Sequence, residues 1–266
     1  MSEPFVDAVR VLSQSQRILA FTGAGISTES GIPDFRGPDG IWTQVDPEDF
    51  TITRYLASPD LRRRGWRMHV EGKLWGARAR VEPNGGHLAL VDLWRAGRLA
   101  GCVTQNVDGL HLKAGLPPEV VAELHGNVRE VRCLGCGQVW PTEEILQRVE
   151  AGEEEPRCDF CEGIVKTTTV MFGEPLSDAV LDRARAMAAE ADAVLAIGST
   201  LAVWPAAEIP HSAVREGRPL VIVNQGPTEM DHLASVRIEG AAGIVLPALV
   251  GEILRGHRSP PPTVEP

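Results

Sequence analysis

Four cysteines in two close pairs are the residues whose types and spacing most directly predict chemistry. Cys133 and Cys136 form one Cys-x2-Cys pair, Cys158 and Cys161 form the other, and 21 residues separate the pairs. Structural zinc sites use two such pairs at similar spacing, and four thiolates leave no coordination position for water. We therefore expect one structural zinc ion rather than two disulfides or a catalytic metal. The fifth cysteine, Cys102, lies in an apolar run and is expected in the core.

A glycine-rich turn follows the apolar run at residues 18–21 and reads TGAGISTESGIPDFRG. A strand that leads through glycines into a helix presents backbone N–H groups at the positive helix end, where pyrophosphate binds. The dinucleotide fingerprint requires a third glycine where this chain has Thr28, so a tight turn with a helix cap is an equal alternative. The cluster at residues 33–36, Pro-Asp-Phe-Arg, favours the ligand site, because a tight turn needs no Phe–Arg pair.

Polar side chains follow the next apolar run, residues 99–103, as the sequence TQNVD. Ligands of open α/β sheets bind outside the carboxyl ends of the strands. Asn106 and Asp108 alternate with Val107, so an amide and a carboxylate are expected to face one cavity. The alternative is a turn that Asn and Asp stabilise.

A histidine, His125, stands at the end of the run at residues 120–124. Its ordinary pKa makes histidine the side chain best suited to general base catalysis near neutral pH. A purely structural role is the alternative, and spacing alone gives His87 and His111 an equal claim to catalysis.

The elements that must position these residues are short apolar runs separated by helical patterns. Helical spacing is clearest at residues 88–96 and 178–190. Strands that alternate with helices predict an α/β fold with a doubly wound, Rossmann-like parallel sheet. The six predicted strands are residues 18–21, 99–103, 120–124, 193–197, 220–223 and 236–238.

Composition excludes several classes of protein. The 266 residues carry 26 basic and 36 acidic side chains, and this net charge of −10 argues against direct nucleic-acid binding. No apolar run approaches the roughly 20 residues of a membrane span, and the N-terminal sequence lacks a signal-peptide core. We therefore expect a cytoplasmic protein without a membrane partner. The sequence leaves the oligomeric state open and is compatible with a monomer.

Longer blocks of sequence join these motifs into one pattern. After GAGISTESGIPDFRG come TQNVDGLH, ELHG, the cysteine pairs, MFGE, GSTLAV and the asparagine of VIVNQ. In this order the blocks resemble the signature of the sirtuins, the NAD-dependent protein deacylases. The resemblance covers nearly the whole chain and implies a bacterial-type single catalytic core.

The resemblance also implies roles for individual residues. His125 would be the catalytic base, with Asn106 and Asp108 beside the nicotinamide and its ribose. An acyl-lysine substrate would bind as an added β-strand, contacting Val170, Phe172, Gly173 and Glu174, with Phe35 in its apolar tunnel. The NAD contacts would be Gly23, Ala24, Gly25, Ile26, Ser27, Thr28, Asp34, Phe35, Arg36, Gln105, Asn106, Asp108, His125, Gly198, Ser199, Thr200, Asn224, Gln225 and Ala242.

Two insertions interrupt the alternation of strands and helices and are expected to form a second, smaller domain. The first is helical and spans residues 37–82; the second is the zinc ribbon at residues 129–170. The NAD-binding, Rossmann-like domain would comprise residues 1–36, 83–128 and 171–258, and residues 259–266 form a tail expected to be disordered.

The reaction that the resemblance implies transfers the acyl group from lysine to ADP-ribose with release of nicotinamide. ADP-ribosyl transfer to protein is the alternative within the family, and a nicotinamide-dependent oxidoreductase or a noncatalytic NAD or zinc-ribbon adaptor are the alternatives outside it. Sirtuins that favour acidic acyl groups carry Tyr-x-x-Arg where this chain has His69 and Gly72. Succinyl and malonyl substrates are therefore not expected.

Overall fold

A computed structural model describes residues 2–37 and 40–256 of the chain. The predicted tail at residues 259–266 lies outside the described residues. No helix in the described part is both long enough and apolar enough to cross a membrane.

The central sheet has six parallel strands, as the sequence predicted, each differing from its apolar run by at most two residues. Their spatial order is β3-β2-β1-β7-β8-β9, so β1 lies between strands that come from opposite halves of the chain. A ligand crevice is expected at this switch point, outside the carboxyl ends of the strands. The bounds are β1 Ile18–Thr22, β2 Leu99–Thr104, β3 Val121–Glu123, β7 Ala193–Ile197, β8 Leu220–Asn224 and β9 Val236–Glu239.

Helices cover both faces of this sheet, because alternate residues of each buried strand point to opposite faces. Ile18 and Ala20 of β1 join the core cluster under α1, α4 and α9, whereas Leu19 and Phe21 join the cluster under α7 and α8. The bounds are α1 Glu3–Gln14, α4 Gly85–Arg95, α5 Leu110–Ala114, α7 Asp178–Glu190, α8 Glu208–Arg215 and α9 Ala242–Arg255.

A second, antiparallel sheet lies in the cysteine-bearing part of the chain. Its strand order is β5-β4-β6, and Trp66 from the helical insertion is buried against Val131 and Leu146 in its core. The two insertions therefore pack on each other, while the domain boundaries given above stay a prediction. The bounds are β4 Glu130–Cys133, β5 Val139–Pro141, β6 Val165–Thr167, α2 Ile52–Ala57, α3 Pro59–Glu71 and α6 Thr142–Glu150.

A buried arginine ties the helical insertion together. Arg62 on α3 donates to the carbonyl oxygens of Tyr55 and Leu56, at 2.7 and 2.8 Å, and its Nε donates to Glu155 at 2.8 Å. Because its side chain is almost fully buried, these partners satisfy a charge that would otherwise be costly. The Arg62 guanidinium therefore has a structural role, holding α2, α3 and Glu155 together.

Candidate functional site

One large cavity, of about 1110 Å³, opens at the carboxyl edge of the parallel sheet. The four predicted substrate contacts and all but one of the predicted NAD contacts line it. The exception is Ile26, whose fully buried side chain belongs to the sheet core. The predicted residues thus converge on one place, although they come from seven separate stretches of sequence.

The glycine-rich turn after β1 does not lead into a helix, and that expectation was wrong. Two short 3-10 turns, Ala24–Ile26 and Thr28–Ser30, take its place. Gly31, at φ 89°, ends the second turn, and Pro33 lacks the N–H that a continuing helix needs.

Gly23 and Gly25 must be glycine because the turn after β7 approaches them closely. A Cβ atom on Gly23 would lie 2.7 Å from the carbonyl oxygen of Gly198, and one on Gly25 would lie 2.7 Å from the Gly198 Cα. Gly198 itself has φ 57°, which favours glycine. The turn after β1 and the turn after β7 therefore pack backbone to backbone under the cavity.

Three polar side chains meet beside this turn. The Ser27 hydroxyl donates to Asp108 Oδ2 at 2.8 Å and accepts from Asn106 Nδ2 at 3.1 Å. The backbone N–H of Leu110 donates to the other Asp108 oxygen at 2.9 Å, which fixes the carboxylate. The prediction that Asn106 and Asp108 face one cavity is confirmed, and the shared partner Ser27 holds them there.

The rival histidines, His87 and His111, are buried beneath this cluster and do not line the cavity. His111 Nε2 lies 2.8 Å from the Thr22 hydroxyl, and His87 Nδ1 accepts from the backbone N–H of Asn84 in a cap of α4. Burial lowers the pKa of His111 to about 4 and that of His87 to about 3, so both are neutral near pH 7. Their position is that of structural supports.

His125, by contrast, lines the cavity and is only partly buried. Its Nδ1 lies 3.0 Å from the backbone oxygen of Gln105. Because a carbonyl oxygen can only accept, Nδ1 carries the proton and Nε2 keeps a free lone pair. Burial lowers the pKa of His125, and the Gln105 bond only partly opposes this effect. The ring is therefore a neutral base at neutral pH.

The segment that follows β6 is clamped by an ion pair that the sequence analysis missed. Lys166 is buried, its Nζ lies 3.0 Å from Glu174, and it donates to the carbonyl oxygens of Thr167 and Thr169. Glu174 also accepts from the backbone N–H of Met171 at 2.8 Å. Seven residues separate Lys166 and Glu174 in sequence, and only the fold of this loop brings the charges together.

Aromatic rings form one wall of the cavity on the side of the helical insertion. Phe35 lies 5.1 Å from Trp42 and 5.3 Å from Trp75, and Phe172 lies 6.1 Å from Trp42, measured between ring centroids. These distances are typical of packed aromatic pairs. The predicted tunnel residues Phe35 and Phe172 therefore belong to one aromatic surface.

Polar groups close the far end of the cavity at the turns after β7 and β8. Ser199 accepts from Gln105 Nε2 at 2.8 Å, and Arg36 lies 3.5 Å from the Thr200 hydroxyl. Asn224 donates to the backbone oxygens of Gln225 and Gly226, which shapes the β8 turn. Hydroxyl, amide and guanidinium groups are the donors that ribose and phosphate oxygens require.

The four paired cysteines lie together at one end of the antiparallel sheet. Their sulfur atoms lie within 4.8 Å of one another, with 3.5 Å between Cys133 and Cys161 and between Cys136 and Cys158. Tetrahedral zinc with bonds of about 2.3 Å places sulfur atoms about 3.8 Å apart. Backbone N–H groups of Gly135 and Cys136 point at Cys133 Sγ, as they do toward thiolates. The cluster fits a structural zinc ion.

Comparisons with known proteins agree with this geometry. A model of the Sir2 family matches residues 23–205. An NAD-dependent protein deacetylase of Streptomyces coelicolor is 44% identical over 236 residues, covering 88% of this chain and 96% of the relative.

Solved structures agree as well. A Sir2 protein in complex with a p53 peptide and NAD+ has a TM-score of 0.79 at 32% identity, covering 96% of this chain and 98% of its own. A Sir2 protein bound to a myristoylated histone peptide has a TM-score of 0.76 at 35% identity, covering 96% and 98%. Because the Sir2 family model matches more than half of this chain, the chain belongs to the Sir2 family.

Proposed function

We propose that this protein is an NAD-dependent protein-lysine deacylase that moves the acyl group from lysine to ADP-ribose. The observation that carries the proposal is His125, whose Nδ1 is held by Gln105 and whose free Nε2 belongs to the same cavity as the Ser27–Asn106–Asp108 cluster. The Streptomyces relative is named an NAD-dependent protein deacetylase, and a solved Sir2 relative is a complex with a p53 peptide and NAD+.

The reaction uses both His125 and the Ser27–Asn106–Asp108 cluster. Asn106 and Asp108 hold the nicotinamide ribose end of the co-substrate NAD, and the acyl oxygen of the modified lysine attacks the ribose C1′ as nicotinamide leaves. His125 Nε2 then removes a proton from a ribose hydroxyl, whose oxygen attacks the former acyl carbon. Water completes the release of free lysine, so the products are lysine, nicotinamide and O-acyl-ADP-ribose. A general base contributes about 10²–10⁴-fold to such a step.

The peptide binds, in this proposal, as an extended strand along the segment around Gly173. The backbone N–H of Phe172 donates to the carbonyl oxygen of Phe50, and the carbonyl oxygen of Phe172 accepts from the N–H of Ile52. These two hydrogen bonds hold one edge of the segment. The next residue, Gly173, is exposed and makes no hydrogen bond among the described residues. Main-chain bonding at this free edge would give affinity with little dependence on sequence.

Mass spectrometry tests the proposed function directly. Purified zinc-loaded protein is incubated with NAD and an acetyl-lysine peptide, and the expected products are nicotinamide, free-lysine peptide and O-acetyl-ADP-ribose in equal amounts. Transfer of ADP-ribose to protein without deacetylation would instead indicate the alternative transferase. Appearance of reduced cofactor would indicate an oxidoreductase, and no nicotinamide release across a panel of acyl peptides would contradict enzymatic activity.

The lowered pKa of His125 predicts the pH dependence of the reaction. Since burial favours the neutral ring, the base stays unprotonated below the ordinary histidine pKa of about 6.5. We expect the acidic limb of kcat/KM to have its midpoint below pH 6.5 and activity to be lost as pH falls through that midpoint. Brief exposure to each pH followed by assay at pH 7.5 separates titration from unfolding. A midpoint above 6.5 would contradict this assignment.

A further inference from the structure

Arg129 lies where the chain passes from the parallel sheet to the small antiparallel sheet, and the reaction proposed above does not use it. Its Nη1 and Nη2 atoms donate to the two carboxylate oxygens of Glu123, at 2.9 and 2.7 Å. Such a bidentate pair fixes direction as well as distance, because both groups are planar. Glu123 is the last residue of β3 and precedes the proposed base, His125, by two residues.

The same guanidinium packs over the loop that carries Asp108. A Cβ atom built on Gly109 would lie 2.6 Å from Arg129 Nη1, so the arginine occupies the space that a side chain here would need. Gly109, at φ 73°, is the N-cap residue of α5, and the N–H of the next residue, Leu110, donates to Asp108. One side chain therefore contacts both the strand end before His125 and the turn after Asp108.

The backbone of Arg129 is anchored independently of its side chain. Its N–H donates to the Asn127 side chain at 2.9 Å, and its carbonyl oxygen accepts from the N–H of Thr142, the first residue of α6, at 2.8 Å. One residue earlier in the chain, the N–H of Val128 donates to the Val107 oxygen at 3.2 Å. The guanidinium therefore extends from a fixed backbone position between the cavity loops and the small sheet.

The ion pair between Arg129 and Glu123 lies outside the site itself. Neither residue lines the cavity, and the two side chains are 41% and 15% exposed. An ion pair this accessible to solvent adds little to the stability of a folded protein. Its effect on a reaction can be much larger, because displacing a reacting group by about 1 Å can lower the rate about 100-fold.

The functional side chains have their own local partners, and Arg129 acts on a different part of the structure. The Asp108 carboxylate is oriented by Ser27, and the His125 ring is oriented by the Gln105 oxygen. These bonds set the direction of each side chain. Arg129 contacts the backbone segments that carry the two groups, and it contacts both at once.

We propose, resting on the proposed function, that Arg129 is a positioning residue that sets the distance between His125 and the nicotinamide-binding loop at Asp108. Release of nicotinamide uses this loop without the base, whereas deacylation needs the base to reach the ribose that the loop holds. Loss of the guanidinium therefore impairs the second step more than the first. Exchange of labelled nicotinamide into NAD reports the first step, and formation of O-acetyl-ADP-ribose reports both.

Arg129→Met keeps an unbranched side chain without the guanidinium and tests the inference. With NAD and an acetyl-lysine peptide, we expect kcat for O-acetyl-ADP-ribose formation to fall about tenfold, while KM for the peptide and the rate of nicotinamide exchange stay within about twofold. Glu123→Gln removes the partner carboxylate and should give the same pattern. Arg132→Met removes an exposed arginine of β4 and should leave both rates unchanged.

A double variant shows whether Arg129 acts through His125. Arg129→Met in a His125→Ala protein should cause no further loss of deacylation, because the base that it positions is already absent. Thermal unfolding checks that each variant is folded. An equal fall in exchange and deacylation, or a further tenfold loss in the double variant, would overturn the inference. No nicotinamide release by the wild-type protein with any acyl peptide would instead remove the proposed function.

Discussion

Replacing His125 with alanine is expected to lower kcat/KM for an acetyl-lysine peptide by about 10²–10⁴-fold, the contribution of a general base. The physical reason is the free Nε2 lone pair, which the Nδ1 bond to Gln105 creates by fixing the tautomer. Quantifying O-acetyl-ADP-ribose by mass spectrometry measures the loss. Because nicotinamide leaves before the base acts in the proposed sequence, exchange of labelled nicotinamide into NAD should survive in the variant.

His125→Asn is the matched control for position. The asparagine amide can still donate to the Gln105 oxygen, so the loop keeps its hydrogen bond while the base is lost. We expect His125→Asn and His125→Ala to be equally poor at deacylation, with zinc content unchanged in both. Activity restored by asparagine would show that His125 acts by positioning the loop, and full activity in both variants would remove it from the chemistry.

The parallel sheet and the cavity edge could be predicted because their signals are local. An unbroken apolar run such as residues 193–197 predicts a strand buried on both faces, and a polar residue directly after it falls at the carboxyl edge. His125 and Asn106 were therefore placed near each other from sequence. Choosing His125 over His87 and His111 needed the family resemblance, because burial distinguishes the three rings and sequence spacing does not.

The small sheet and the supports of the cavity could not be predicted, since their signals are not local. Strand β4 is four residues long and alternates exposed and buried positions, so it forms no apolar run. Gly23 and Gly25 resemble a phosphate-binding turn in sequence, yet the contact that requires glycine is with Gly198, which follows the neighbouring strand β7 and comes from the other half of the chain. Pairings of this kind appear only when the strands are assembled.

Removing zinc is expected to abolish activity and to unfold the antiparallel sheet while the parallel sheet stays folded. Structural zinc contributes about 10–16 kcal/mol in zinc-finger peptides, whereas whole domains are stable by about 5–15 kcal/mol. The small core around Val131 and Leu146 cannot replace that contribution. The parallel sheet has two separate and larger cores of its own and does not need the metal.

Unfolding of the antiparallel sheet should also disturb the cavity, because the chain that leaves this sheet lines the cavity. Strand β6 leads directly into the segment that the Lys166–Glu174 ion pair holds. In that segment the backbone N–H of Val170 donates to the backbone carbonyl oxygen of His125 at 2.8 Å. When β6 unpairs from β4, this segment loses its anchor beside the proposed base. Deacylation should therefore disappear although no cysteine touches the cavity.

Cys133→Ser tests this coupling in the intact protein, with zinc per chain measured by elemental mass spectrometry and local unfolding by hydrogen exchange. We expect loss of the ion, fast exchange in β4 and β6, continued protection in β1 and β7, and no measurable deacylation.

Cys102→Ala is the control for this experiment. The Cys102 thiol is buried in the main core, and burial raises its pKa to about 12, so it forms no thiolate for zinc. It should keep one zinc ion and its activity. Full activity in zinc-free Cys133→Ser would contradict the coupling, because the segment beside His125 would then hold its shape without the metal.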